Sequence, residues 1–243
     1  MPSSALQISV VHFDYMPDPP AAHGAVVVID VLRATTVIVC ALANGAREVI
    51  PVSGVDAARD LAKSRGGALL GGEERNERIP GFDFGNSPQE YDARVREKTV
   101  VMRTTNGTRA LQAFRGVSPV WCGALANASA IVRALARPGV STATLVCAGQ
   151  AGEFSLEDFV CAGAFVDGIG SLRETHGDDE AIAARELFRA NRGALAALLE
   201  QGNHARALRR AGFGSDIPFA AKLDRYDVLP ALDDGAVVAS PPT

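Results

Sequence analysis

Val26-Val27-Val28-Ile29 is an unbroken apolar run with no alternating polar position, the pattern of a strand buried on both faces. Asp30 closes it. After Arg33 the pattern changes to Thr35-Thr36, good helix-starting residues, then to an apolar helix from Val37 to Asn44, with Gly45 as its stop. The succession recurs: Lys98 to Met102 reads as a strand, Arg103-Thr104-Thr105-Asn106-Gly107-Thr108 as a polar turn, Arg109 to Phe114 as a helix and Val117 to Trp121 as a return strand. Units near 25–52 and 98–122 therefore read as variants of one design, an internal pseudo-repeat within a single domain over 1–243.

The rest of the chain keeps the alternation. Gln7 to Phe13 reads as a strand before a Pro-rich loop at Met16–Pro20; Glu48 to Val52 as a return strand; Val55 to Arg65 as an amphipathic helix; Ala68 to Leu70 as a short strand ending in Gly71-Gly72. Glu73 to Pro88 is too polar and too broken by Gly and Pro for a regular element, apart from Ser87-Pro88 as the start of a short helix. Asn127 to Leu135 reads as a helix, Thr144 to Cys147 as a third apolar strand, and Ser155 as the start of a long small-residue helix through Ile169. From Asp179 the chain reads as helical scaffold, through Leu199 and again from His204 to Arg210, followed by a turn at Asp227–Pro230, a short strand at Ala236–Val238 and a disordered tail from Ser240. This predicts an α/β fold, a layered sheet flanked by helices, and leaves open two related lobes with the site in the crevice between them. Three strand ends carrying polar residues point to one crevice at the carboxyl edge of the sheet.

Composition narrows the function. With 243 residues, 47% hydrophobic and 21% charged, the chain can bury a sizeable core, and its net charge of −4 speaks against a broad nucleic-acid surface. No apolar run approaches the roughly 18 residues of a membrane span, and no signal sequence is evident, so the expected compartment is the cytoplasm. Cys40, Cys122, Cys147 and Cys161 have no metal or CxxC spacing and read as buried thiols, Cys147 alone being placed where a thiolate could act. His12, His23, His176 and His204 show no paired acid or partner at ligand spacing. GxGxxG and Walker patterns are missing, which leaves little room for a nucleotide-binding domain. The sequence does not fix the oligomeric state, a homodimer being the starting assumption.

The chemistry gathers at the turns. A helix start following Asp30 and Arg33 offers amides, hydroxyls and a guanidinium to an anion, while Asp30 would repel that anion unless a cation such as Mg²⁺ stood between them. The alternative is that Asp30 and Arg33 pair and Thr35 caps. At Ser155, the Ser-x-x-Asp spacing resembles a capping box, and neighbours on a helix point about 100° apart, so Glu157 and Asp158 are expected to have different roles, one capping and one binding metal.

Asp30-Val31-Leu32-Arg33-Ala34-Thr35-Thr36, Ile79-Pro80-Gly81-Phe82-Asp83-Phe84-Gly85-Asn86-Ser87-Pro88, Thr104-Thr105-Asn106-Gly107-Thr108, and Cys147-Ala148-Gly149 followed by Phe154-Ser155-Leu156-Glu157-Asp158, in this order and spacing, resemble the 2-phosphosulfolactate phosphatase family. The match runs from about Val26 to the helix after Asp158, with a weaker echo around Asp216 and Pro230. One departure is visible: the family's Gly-Gly-Glu-Arg before Pro-Gly-Phe stands here as Gly71-Gly72-Glu73-Glu74-Arg75, so Arg75 is displaced by one position or Glu74 takes its place.

The resemblance implies a Mg²⁺-dependent phosphomonoesterase that removes phosphate from 2-phospho-3-sulfolactate in coenzyme M synthesis, its partner a small anionic phosphorylated substrate. On that basis Asp30 with Glu157 or Asp158 would hold Mg²⁺. Arg33, Thr35 and Thr36 would hold the phosphate; Arg103, Thr104, Asn106, Gly107 and Thr108 would hold the sulfonate or carboxylate, with Thr105, Asn86 and Ser87 as further substrate-binding residues and Arg109 as a further cation. Asp83 is the candidate general base or leaving-group acid. A covalent aspartyl-phosphate on Asp30 is the competing mechanism. A phosphatase for another small phosphorylated acid, or a non-catalytic binder of anionic metabolites, are the competing functions.

Overall fold

The computed structural model describes residues 5–16, 24–150 and 152–240. The expected loop beyond Met16, His23 and the tail after Ser240 lie outside the described residues. Eleven strands among them join in one continuous sheet flanked by helices, the α/β arrangement expected.

The strands are β1 (Leu6–His12), β2 (Ala25–Ile29), β3 (Glu48–Val52), β4 (Leu69–Glu74), β5 (Glu77–Arg78), β6 (Thr99–Arg103), β7 (Val120–Gly123), β8 (Thr142–Cys147), β9 (Thr175–Gly177), β10 (Leu229–Asp233) and β11 (Ala236–Ser240), in the spatial order β5-β4-β6-β3-β11-β10-β7-β2-β8-β1-β9. The helices are α1 (Ala34–Ala43), α2 (Val55–Ser64), α3 (Gly107–Ala113), α4 (Ala128–Leu135), α5 (Leu156–Gly170), α6 (Asp179–Asn191), α7 (Leu195–Leu199), α8 (Asn203–Arg210) and α9 (Asp216–Ala220).

β2 behaves as its unbroken apolar run requires. Val27 and Ile29 face one core, shared with β1, β8, α4 and α5, while Val26 and Val28 face another, shared with α1, α3 and β6. α1 is apolar on all sides for the same reason: every residue from Ala34 to Leu42 is buried, and the helix packs on β3, β10, β11 and α3.

The segments 25–52 and 98–122 are interlaced. β2 pairs in parallel with β7, and β3 in parallel with β6, so each segment takes its strand partner from the other. Between these pairs lies the hairpin β10–β11, antiparallel to β7 through Ala231–Trp121 and to β3 through Val237–Val49. The two parallel halves of the sheet therefore run in opposite directions. The sequence pattern did not foresee this hairpin, because Asp227–Pro230 reads as a turn.

Some boundaries differ from the sequence reading for local reasons. β4 continues through Gly71-Gly72, because Gly72, at φ 138°, lies against the backbone of Arg103: a Cβ there would stand 1.9 Å from the Arg103 carbonyl oxygen. The polar stretch after it is partly regular, turning at Arg75 and Asn76, both at positive φ, into the two-residue strand β5.

Candidate active site

A cavity of about 360 Å³ opens where the carboxyl ends of β2, β4 and β6 meet the first turn of α8. Its floor is Asp30, with Arg33 and Leu32 beside it; Glu73, Glu74, Arg75 and Asn76 form one wall, Arg103 to Asn106 another, and Asn86, Gln150 and His204 complete it. Asp30 and the second Thr-Thr turn, which come from opposed halves of the sheet, touch at Gly107. A Cβ on that glycine would stand 2.6 Å from Asp30 Oδ2 and 2.5 Å from Ala34 Cβ. Gly107→Ala should therefore push the carboxylate out of place, lowering kcat/KM by about 10–100-fold and stability by about 1–3 kcal/mol. Steady-state kinetics with a thermal melt would check this, and wild-type kinetics would refute it.

Asp30 caps its own helix. Its Oδ1 accepts from the Ala34 amide at 3.0 Å and its carbonyl oxygen from the Thr35 amide at 2.9 Å, so two of the amides expected to hold phosphate are already engaged. Thr35 Oγ1 lies 2.8 Å from the Asp30 carbonyl oxygen and 2.7 Å from that of Gly123, and Thr36 Oγ1 donates to the Val31 carbonyl at 2.7 Å. Both threonines are buried and neither lines the cavity, which moves them from the anion-holding set to the scaffold of the turn. Asp30 Oδ2 accepts no hydrogen bond among the described residues. Burial pushes the Asp30 carboxyl up to about 6; His204 and the Ala34 amide oppose the rise, and the charges of Glu73 and Glu157 add to it.

Arg33 is the most enclosed cation of the site. It is 2% exposed, donates to Asp216 Oδ2 at 2.8 Å and to the Asn76 carbonyl at 3.2 Å, and lies 4.4 Å over the Phe213 ring. Asp216 Oδ1 accepts from Ser87 Oγ at 2.6 Å and from Gln89 Nε2 at 3.2 Å. Ser87 thus supports Arg33 through Asp216 and does not reach the cavity, whereas Asn86 does, its buried Oδ1 without a partner among the described residues.

On the opposite wall, Arg103 donates to the Glu73 carbonyl at 2.7 Å and pairs with Glu74 at 3.4 Å, leaving its buried Nε unpartnered among the described residues. Glu73 holds the wall together: Oε1 accepts from the amide and the hydroxyl of Thr105, both at 2.9 Å, and Oε2 from the Asn76 amide at 2.8 Å. Thr108 is fully buried, its hydroxyl donating to the Thr104 carbonyl at 2.8 Å and its amide to Thr104 Oγ1 at 3.1 Å, so it shapes the turn instead of facing a ligand. Arg109 lies elsewhere, pairing with Asp14 over the Phe13 ring. Arg75, displaced by one position in sequence, still lines the cavity from the β4–β5 turn.

Two of the expected acids change role. Asp158 Oδ1 accepts from the Val31 amide at 2.8 Å and Oδ2 from the Gly149 amide at 3.2 Å, clamping the turn after β2 to the turn after β8 with both oxygens. Its own amide is capped by Ser155 Oγ at 3.3 Å, as the Ser-x-x-Asp spacing predicts. Burial and the charges of Asp30 and Glu157 raise its carboxyl well above the ordinary range. Asp83 is exposed, accepts from the Leu70 amide at 2.8 Å, and does not line the cavity, so neither role expected of it, general base or leaving-group acid, has a geometric basis. Glu157 is not beside Asp158 in function. It meets His204, Oε1 to Nδ1 at 2.9 Å, across 47 residues that no spacing rule connects. Cys147 is buried, and burial lifts its thiol far from the thiolate range, which removes it as a nucleophile.

A divalent cation can be tested against these donors. Among the described residues no three His, Cys, Asp or Glu side chains converge as a cage; of the pair expected to hold the ion, Asp30 with Glu157 or Asp158, both Asp158 oxygens accept amides and Glu157 is taken up by His204. What remains is one carboxylate oxygen, Asp30 Oδ2, buried among like charges that favour a positive counter-ion. That suits Mg²⁺, which keeps several waters and takes one or two carboxylates plus phosphate oxygens. Zinc, which is held by three or four protein ligands, does not suit it.

A buried carboxylate with a free oxygen, in a small cavity that Arg33, Arg75 and Arg103 also line, suits an enzyme that works on small anionic esters, and the family match makes it a phosphoric monoester hydrolase. The chain belongs to the 2-phosphosulfolactate phosphatase family: a sequence model described as 2-phosphosulpholactate phosphatase matches residues 14–235. Proteins bearing the name "Probable 2-phosphosulfolactate phosphatase" are 44% identical to it over 227 residues in Symbiobacterium thermophilum, covering 90% of this chain and 97% of theirs. In Caldanaerobacter subterraneus the identity is 42% over 218 residues, covering 88% and 90%. Among the described residues no helix is long and apolar enough to cross a membrane.

Proposed function

We propose that this chain is a Mg²⁺-dependent phosphomonoesterase that hydrolyses 2-phospho-3-sulfolactate to 3-sulfolactate and phosphate, the step used in coenzyme M synthesis, in the cytoplasm. The observation that carries the reading is the free Oδ2 of buried Asp30, facing a cavity of about 360 Å³ lined by Arg33, Arg75 and Arg103. A substrate bearing phosphate, sulfonate and carboxylate needs several cations held apart, and this cavity supplies them on a chain whose total charge is −4. Phosphoryl transfer asks mainly for positioning and charge neutralisation.

Asp30 Oδ2 would hold the cation, which when bound supplies charge neutralisation at the phosphate and a more acidic water. Arg33, braced by Asp216 and Phe213, orients the phosphate. Arg103 and Arg75, with Thr104, Thr105 and Asn106, receive the remaining anions. Four buried free cysteines accord with a reducing compartment.

The test is phosphate release from 2-phospho-3-sulfolactate after chelator treatment, with and without added Mg²⁺. Expected is release with Mg²⁺ at least about 100-fold faster than without it, and a slower rate for the analogue that lacks the sulfonate. Turnover undiminished by chelator would reject the metal, and the absence of turnover on either ester would reject the phosphatase.

A further inference from the structure

The reaction outlined above leaves the departing oxygen without a proton donor. The cavity lining among the described residues includes no lysine, tyrosine or cysteine, and arginine does not give up its proton. Its acids are Asp30, which faces the phosphate, Glu73, whose oxygens are engaged by Thr105 and Asn76, and the outlying Glu74, paired with Arg103. His204 is the remaining titratable group on the wall.

Its placement is built. Glu157 is 1% exposed and has His204 as its one side-chain hydrogen-bond partner among the described residues, Oε1 to Nδ1 at 2.9 Å. A carboxylate accepting from Nδ1–H fixes the ring and leaves Nε2 as the nitrogen that can serve a ligand. Gly202 permits the contact, since a Cβ there would lie 3.3 Å from Glu157 Oε2 and 3.1 Å from the Leu199 carbonyl oxygen, keeping the turn before α8 away from the acid. His204 lines both the main cavity and an adjoining one of about 210 Å³ that contains Glu157, so the imidazole stands at the boundary between the two.

We propose that His204, oriented by Glu157, is the general acid that protonates the leaving oxygen of the phosphoester; the assignment rests on the phosphomonoesterase reading. As the ester P–O bond breaks, the proton on Nε2 passes to the departing alkoxide, which leaves as the alcohol. Water forms the new P–O bond and keeps one hydrogen, giving hydrogen phosphate, while its other proton goes to solvent. The neutral imidazole then regains a proton from solvent. Glu157 is a positioning residue in this scheme.

Leaving-group chemistry separates this role from a structural one. An alkyl ester such as 2-phospholactate departs as a strongly basic alkoxide and needs the acid; 4-nitrophenyl phosphate departs as a stabilised phenolate and does not. His204→Gln should lower kcat on 2-phospholactate by about 100-fold or more, and on 4-nitrophenyl phosphate by less than about fivefold. Glu157→Gln should show the same bias in weaker form. Equal losses on both esters, or no loss on either, would overturn the assignment. If the variants fail to fold, the wild type decides: rates nearly independent of leaving-group acidity across a series of aryl phosphates support the acid, and a steep dependence overturns it. Hydrolysis of no ester by the wild type would bring down the phosphatase reading itself, an outcome distinct from uniform loss in the variants.

Discussion

Asp30→Asn should cripple turnover and at the same time make the metal-free protein more stable. Asparagine keeps the Oδ1 acceptor that caps the Ala34 amide, so the turn survives the exchange. What it removes is a carboxylate that is 6% exposed and pushed up to about 6 by burial, from an ordinary value of 3.8. A folded-state value raised above the unfolded one means that the group costs nothing below pH 4, begins to destabilise between pH 4 and 6, and exacts its full cost above, up to about 3 kcal/mol. In chelator the variant should melt several degrees above the wild type at pH 7, and the gap should close near pH 4. Added Mg²⁺ should raise the wild-type midpoint and leave the variant's unchanged, while activity falls by about 10³-fold. A variant less stable than wild type at pH 7 without metal would mean that the protein already compensates this charge.

Removing Arg33 should have the largest effect on stability. Arg33 and Asp216 are buried, with side chains 1% exposed and 2.8 Å apart. Arg33→Ala strands the Asp216 carboxylate against Ser87 and Gln89, with no cation, and should cost about 3–5 kcal/mol. Lysine should not restore the wild type, because a point charge on a flexible stem cannot donate to Asp216 and Asn76 in one plane while stacked on Phe213. Adding Asp216→Asn to Arg33→Ala should recover part of the loss, with a coupling of about 1–3 kcal/mol in a double-mutant cycle read by urea unfolding. Strict additivity would show that the two groups do not depend on each other.

How far the sequence revealed this site depends on the kind of interaction. The double burial of β2 followed from Val26 to Ile29, because a strand without polar positions can only be sandwiched. The position of Asp30 at its end followed as well, as did the capping of α5 by Ser155, a contact across three residues. Hydroxyl and carboxylate partners were not legible. Thr35 and Thr36 look the same in sequence whether they face phosphate or a carbonyl, and the Asp158 oxygens meet amides of two other turns. Arg33 and Asp216 are 183 residues apart, and the helical pattern from Asp179 onward hides the fact that His204 and Asp216 both return to the site. The hairpin was missed because Pro230 and the turn residues around it conceal a strand.

That hairpin also governs how the molecule can be made. Trp121 and Val49 wait for Ala231 and Val237, partners that emerge from the ribosome more than a hundred residues later. Until then β7 and β3 are bare edges with unpaired amides, a template for chain-to-chain adhesion. Crowded synthesis should therefore favour inclusion bodies over soluble product whenever release stalls before residue 229, and a co-expressed holdase should reverse the balance.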